Sequence, residues 1–204
     1  MKYKILFFFI ILYSLNAYSQ SFKAGFQLGM TATQVDGDKS AGYNKPGFFG
    51  GIFVNRPMEN NKAWQLEMNF VQKGSRINVD PNSTNPQSYL MRLNYLEIPV
   101  LFQKKIKKNL GFEVGGAIAY LITAKEYSMG YLMDETALPA FRKFEISGMG
   151  GLTYLLTSKL SFHLRFQYSL SSIREYDNSY VYMDGGQRNN VICMSLFYKF
   201  RKDE

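Results

Sequence analysis

The chain is short of the residues that carry most protein chemistry. Its 204 residues include one cysteine, Cys193, and one histidine, His163. A lone cysteine excludes an internal disulfide and a cysteine-based zinc site. None lies near the end of the leader, so lipoprotein processing is not expected. Cys193 itself reads as a small buried residue. Beyond the N-terminal segment no apolar run approaches the roughly 20 residues that a spanning helix needs. A mean hydropathy of −0.21 also excludes a bundle of such helices. Helical periodicity is scarce throughout. Acidic residues are outnumbered, 16 against 24 Lys and Arg, for a net charge of +8. That charge includes Lys2 and Lys4 of the leader, which leaves +6 on the mature chain. The densest basic run, Lys104, Lys105, Lys107 and Lys108, reads as a tight turn between strands. With no basic helix and no nucleic-acid motif, nucleic acid is not an expected partner.

What is present begins with a leader. Lys2 and Lys4 precede a nearly unbroken apolar run from Ile5 to Leu15. Ala17-Tyr18-Ser19 then offers a small-x-small cleavage site. Residues 1–19 are therefore read as a signal peptide and 20–204 as one domain. The apolar run is too short for a membrane anchor.

The mature chain alternates apolar and polar residues with period 2 in eight segments, the pattern of antiparallel strands. They fall near 21–33, 47–56, 62–73, 89–103, 109–123, 142–156, 160–172 and 189–200. The seventh is the clearest. Leu160, Phe162, Leu164, Phe166, Tyr168 and Leu170 alternate with Ser161, His163, Arg165, Gln167 and Ser169. The connections after the second, fourth and sixth segments are short. Those at 34–46, 74–88, 124–141 and 173–188 are longer. Short turns at one end and long loops at the other are the plan of an all-β, eight-stranded, antiparallel up-and-down transmembrane β-barrel, with short periplasmic turns and longer extracellular loops.

Side-chain size says which face points out. One face is bulky, with Phe, Tyr, Trp, Leu and Ile. The other carries mostly Gly, Ala, Ser, Gln, Glu and Arg. The interior of an eight-stranded barrel is just wide enough for side chains to fill, and the small face suits it. The bulky face would make a large sticky surface in water but is at home in lipid. Glu67, Glu97, Glu113 and Glu145 then point inward, as do Lys23, Lys143, His163 and Arg165. Charges in a narrow lumen are costly unless paired and hydrogen-bonded. A salt-bridged lumen network centred on Arg165 is expected, closing the barrel to through-flow.

Two segments resemble a known family. Leu66-Glu67-Met68-Asn69-Phe70-Val71-Gln72-Lys73-Gly74 is similar to the third strand and Gln-Lys-Gly turn of the PorT-like outer-membrane β-barrel family. Leu93-Asn94-Tyr95-Leu96-Glu97-Ile98-Pro99-Val100-Leu101 resembles its Tyr-Leu-Glu-Ile-Pro fourth strand. Gly148-Met149-Gly150-Gly151-Leu152, Leu164-Arg165-Phe166-Gln167-Tyr168-Ser169 and Ser195-Leu196-Phe197-Tyr198-Lys199-Phe200 look like its sixth, seventh and closing strands. Unlike barrels that end on an aromatic, this chain continues past Phe200 with Arg201-Lys202-Asp203-Glu204. The resemblance implies the outer membrane of a Gram-negative bacterium. It implies no single activity, although the family's prototype is associated with protein secretion.

Candidate chemistry is sparse. His163 reads either as a general base or as a lumen hydrogen-bonding residue, and the second fits its mid-strand position. Ser147 and Glu145 lie near it on the neighbouring segment but deep in the barrel, with no nucleophile motif around them. Asp36-Gly37-Asp38 offers two acids to calcium, yet the same residues are ordinary turn chemistry. Gly115-Gly116 and Gly185-Gly186 precede no helix and cradle no phosphate. No metal or other cofactor is expected. Among the loop aromatics, Tyr127, Tyr131, Phe141, Tyr176, Tyr180 and Tyr182 suit contact with a protein partner or, equally, an aromatic girdle at the lipid interface.

The leading reading is a non-enzymatic barrel with a structural or surface-interaction role, whose partners are outer-membrane lipid and a protein at the long loops. The alternatives are an accessory of protein secretion or transport, a soluble periplasmic barrel for a small ligand, and, last, an enzyme. Intact-mass measurement of protein from the membrane fraction is expected to show a mature chain starting at Gln20. A mass that includes residues 1–19 would contradict the cleaved leader.

Overall fold

Strands that alternate in polarity bury one face either by packing on a second layer or by closing on themselves, and these close. A computed structural model describes residues 22–38, 42–78, 88–134, 139–174 and 186–200. The leader and Tyr176, Tyr180 and Tyr182 lie outside these residues. The strands are β1 (Lys23–Asp36), β2 (Lys45–Met58), β3 (Lys62–Lys73), β4 (Arg76–Ile77), β5 (Tyr89–Lys105), β6 (Leu110–Ser128), β7 (Tyr131–Leu132), β8 (Phe144–Leu155), β9 (Leu160–Ser169) and β10 (Arg188–Lys199). β4 and β7 are two-residue extensions on β5 and β6.

The other eight strands each pair antiparallel with their chain neighbours, and β1 pairs with β10 to close the ring. This is the eight-stranded antiparallel barrel that the alternation predicts. The segments expected at 21–33 and 109–123 extend further toward the long loops, to Asp36 and Ser128. The segment expected at 142–156 starts later, at Phe144. Among the described residues no helix is long and apolar enough to cross a membrane; in a barrel, crossing belongs to strands.

The bulky face points outward. Leu28, Ile52, Met68, Ile98, Ile118, Ile146, Leu164 and Leu196 are all exposed on the eight staves. Aromatic pairs stand on the same outer surface. Trp64 meets Phe102, and Phe26 meets Tyr198, toward the short-turn end; Tyr120 meets Phe144 nearer the long loops.

The inner face is less uniformly small than its composition suggests. Phe53 and Phe197 are buried within it, with ring centroids 5.3 Å apart. Gly25 leaves the room: a Cβ there would lie 2.6 Å from the Phe53 ring. Cys193 is buried beside Phe49 and Val71.

Two irregularities shape the sheet. Pro99 has no amide hydrogen to give a ladder. The β3–β5 pairing lapses there for two residues and resumes in the same register, from Leu66↔Val100 on one side to Asn69↔Glu97 on the other. The second is a bulge on β6. Asn94 pairs with Thr123 but Tyr95 pairs with Leu121, so Ile122 is extra. A bulge inverts the inward and outward phase of the strand beyond it. Below it Glu113, Ala117 and Ala119 are buried; above it Glu126 is.

The outward apolar positions are expected to be intolerant of charge. Ile98→Arg should cost about 2–4 kcal/mol of unfolding free energy in lipid vesicles, read by urea titration. Lys107→Glu, in a turn, should cost little. An equal and small cost for both would contradict the assignment of faces.

Candidate functional site

The inner face carries two ionic layers. In the first, Arg165 of β9 reaches across the lumen to β3 and β6. Its two terminal nitrogens each donate to one oxygen of Glu67 at 3.0 Å, a bidentate fork. Its Nε donates to Glu113 at 2.9 Å. Glu67 also accepts from Gln65 at 2.6 Å, Asn69 at 2.8 Å and Gln27 at 3.1 Å. Glu113 accepts from Gln103 at 3.0 Å. Both carboxylates are almost fully buried, so this satisfaction is what makes their burial tolerable.

The second layer is centred on Lys73. Its ammonium donates to Glu97 at 2.8 Å and to Glu145 at 3.0 Å, and lies 5.0 Å from the centre of the Tyr95 ring. Glu145 accepts further from Ser169 at 2.6 Å and Asn189 at 2.8 Å. Glu97 accepts from Gln167 at 2.6 Å, and the same Gln167 amide group donates to Ser147 at 2.8 Å.

Above this layer, toward the long loops, the interior turns apolar. Val35, Met91, Leu93, Tyr95, Leu121 and Ile173 form one buried cluster. A third ion pair sits at its edge. Arg174 donates to Glu126 through Nη1 at 3.1 Å and again through Nη2, and the Tyr89 hydroxyl donates to the same carboxylate. The Arg174 guanidinium stacks 3.7 Å over the Phe141 ring.

At the opposite end the Phe197 ring stacks on His163 at 3.8 Å and 13°. These two rings, with Ser161, line a vestibule of about 270 Å³ that opens between the short turns. Lys23 lines its rim. His163 Nδ1 faces Glu113 at 3.2 Å, and Nε2 faces Ser161 at 3.0 Å. A carboxylate only accepts, so Nδ1 holds the proton and Ser161 donates to Nε2 when the ring is neutral. Ser161, His163 and Glu113 thus stand in the order of a hydrolytic triad, a set that sequence reasoning overlooked in favour of Ser147 and Glu145. The arrangement lacks the rest of such a site. Arg165 engages the orienting carboxylate, and Ser161, near the short-turn end of β9, is held between two hydrogen-bonded strands. Its neighbouring amides are spent on the ladder, so none is left to form an oxyanion hole.

The structure therefore brings Glu67, Glu113, His163 and Arg165 into one layer, and Glu97 and Glu145 into another. Lys143 joins neither. It precedes β8 at a bend, and its side chain is exposed at the rim, because the strand expected to hold it starts one residue later. The expectation of a loop at 124–141 also needs correction. Tyr127 belongs to β6 and is half-buried, because that strand runs on past its bulge. Phe141 is half-buried beneath Arg174. Tyr131 is 80% exposed and fully available.

Sequence reasoning missed Lys73 and the Glu126–Arg174 pair. Lys73 shares the inward parity of Gln65, Glu67 and Asn69, so its position carried the signal. Glu126 carried a misleading one, since the bulge reverses its parity. Among the described residues no group of three or more His, Cys, Asp or Glu is arranged to hold a metal ion. In the candidate calcium turn, Asp38 instead accepts from Ser75.

This architecture matches a family model. The model for the outer membrane protein beta-barrel domain covers residues 18–175. The chain belongs to that family. Its place is accordingly the outer membrane of a Gram-negative bacterium, with the apolar belt in lipid. Among solved structures, Neisserial surface protein A superposes with a TM-score of 0.53 at 9% identity, over 87% of this chain and 97% of its own. Ail, the attachment invasion locus protein of Yersinia pestis, gives 0.49 at 15% identity, over 87% and 98%. OprG of Pseudomonas aeruginosa gives 0.38 at 12%, over 88% and 94%. At these identities the likeness to the Neisserial barrel speaks for the fold alone. No curated protein matches the sequence.

Lys73→Met removes the only cation contacting Glu97 and Glu145 among the described residues, and should cost this outer-membrane barrel about 3–5 kcal/mol in urea titrations. Lys143→Ala should stay within about 0.5 kcal/mol of the parent. Equal effects would contradict the placement of these two lysines.

Proposed function

We propose that this protein is a non-enzymatic outer-membrane barrel with a plugged lumen, and that its role is structural or lies in surface contacts made at its extracellular end. The observation that carries this reading is the stacking of layers inside the barrel. The His163–Phe197 stack, the Arg165 layer, the Lys73 layer and the apolar cluster around Tyr95 succeed one another along the interior. Opening a path through them would strand charges in a low dielectric. What varies freely on such a scaffold is its loops. Tyr131, with exposed Met129 and Leu132 beside it, offers contact area there.

The PorT-like resemblance keeps a second reading in view, an accessory role in protein secretion. Its most specific segment, Tyr95 to Pro99, supplies Glu97 to the Lys73 layer. In that position it supports the barrel wall and not a mobile secretion contact, which favours the first reading.

Planar-bilayer recordings test the plug. The wild-type barrel is expected to show no conductance steps, and steady open-channel current would overturn the reading. Fluorophosphonate labelling tests the absence of enzymatic chemistry: Ser161 is expected to stay unlabelled, and stoichiometric labelling lost in His163→Ala would overturn that part. Replacing 129–140 with a tight turn is expected to leave folding intact and abolish binding of barrel-bearing vesicles to cell surfaces. Deletion mutants that secrete other proteins poorly while surface binding persists would instead support the secretion role.

A further inference from the structure

Above the apolar belt on β5 and β6 the outer surface changes character within a few residues. Leu96 and Ile98 on β5 stand exposed beside Tyr120 and Ile118 on β6. One step up, Asn94 donates to Thr123 at 2.7 Å, a polar pair on the outer face that ends the belt. One step further, Arg92 and Lys125 are paired directly across the two strands, both exposed. Like charges directly opposite each other weaken a sheet, and an anion between them reverses that cost.

The surroundings suit an anion. Arg76 and Arg92 line, with Tyr89, Leu90 and Tyr127, a hollow of about 360 Å³. The Arg92 guanidinium lies 5.9 Å from the centre of the Tyr127 ring, which steadies its orientation. Among the described residues none of the ion pairs engages Arg76, Arg92 or Lys125.

We infer that the edge of this hollow, where Arg92 is paired with Lys125 on the neighbouring strand, binds the phosphorylated headgroup of an outer-leaflet glycolipid, with phosphate held by Arg92 and Lys125 and acyl chain laid on the belt below. The inference rests on the outer-membrane reading, which puts the long-loop end at the outer leaflet. The chemistry decides between a lipid and a free anion. Arg92 lies four residues from Leu96 on one strand, about 13 Å at the usual rise. A molecule that satisfies both the cations and the apolar strip is amphiphilic. Arginine's planar fork fits phosphate oxygens two at a time.

The test uses the full-length mature barrel refolded in zwitterionic detergent, with native mass spectrometry as the readout. The probes are a hexa-acylated glucosamine disaccharide bearing two phosphates, the same lipid without phosphate, and inorganic phosphate. The wild-type barrel is expected to retain the phosphorylated lipid. R92Q/K125Q should retain about tenfold less, the loss of a charge-assisted contact, while still shifting on a heat-modifiability gel. The control K62Q/K104Q, at the opposite end, should retain as much as wild type. Undiminished retention by R92Q/K125Q, or an equal loss in the control, would overturn the site. Equal retention of the dephosphorylated lipid would overturn the role of phosphate. Displacement of the lipid by equimolar inorganic phosphate would make this a free-anion site and overturn the lipid assignment. Failure of the wild-type barrel itself to shift on the gel would instead strike the membrane reading beneath it.

Discussion

Four glutamates on the inner wall of a barrel this narrow have almost no water to dissolve in, and the rest of the structure depends on how they are answered. Two cations do most of it. Arg165 ties β9 to β3 and β6, and Lys73 ties β3 to β5 and β8. Both therefore fasten walls that face each other across the lumen, in addition to the ladders that join neighbours. The amides and hydroxyls of Gln27, Gln65, Asn69, Gln103, Gln167, Ser169 and Asn189 fill the lone pairs left over. Such a network is costly when half complete and rigid when complete. It leaves chemistry and recognition to the two ends.

The outer surface obeys the opposite demand. Lipid offers no hydrogen bonds, so every backbone group must be answered by a neighbouring strand, and closure of β1 on β10 removes the last free edge. Side chains there are large because lipid rewards apolar area. Charge returns beyond the belt, as at Arg92 and Lys125 above the Asn94–Thr123 pair. Inner network and outer rim are thus two solutions to one solvent problem on alternate residues of the same strands.

Much of the fold was legible in the sequence because period 2 is a strong signal when it persists for ten or more residues. Segments such as 160–172 declared both faces at once, and the alternation of short and long connections declared the ends. Parity was also enough to set Glu67, Glu97, Glu113 and Glu145 on one face. It failed where the period breaks. The extra residue at Ile122 turned Glu126 inward and kept Tyr127 within a strand. Lys143, one residue before β8 begins, stays exposed at the rim instead of entering the lumen. Lys73 was hidden differently: it sits at a strand's end beside Gly74, where a turn motif draws the eye from its parity. Partners joined across the lumen, such as Arg165 and Glu67, are 98 residues apart; their meeting depends on the shear of the whole barrel, which no local pattern carries.

The claim that paired charge, and not charge itself, holds the lumen together is tested most directly by a double-mutant cycle in lipid vesicles. Unfolding free energies would be compared for the parent, R165M, E67Q/E113Q and the triple variant. The account predicts that R165M alone is the least stable of the four, and that adding the two glutamine substitutions recovers most of the loss, a coupling of several kcal/mol, on the order of 3. Additive losses, with the triple variant the least stable, would contradict it.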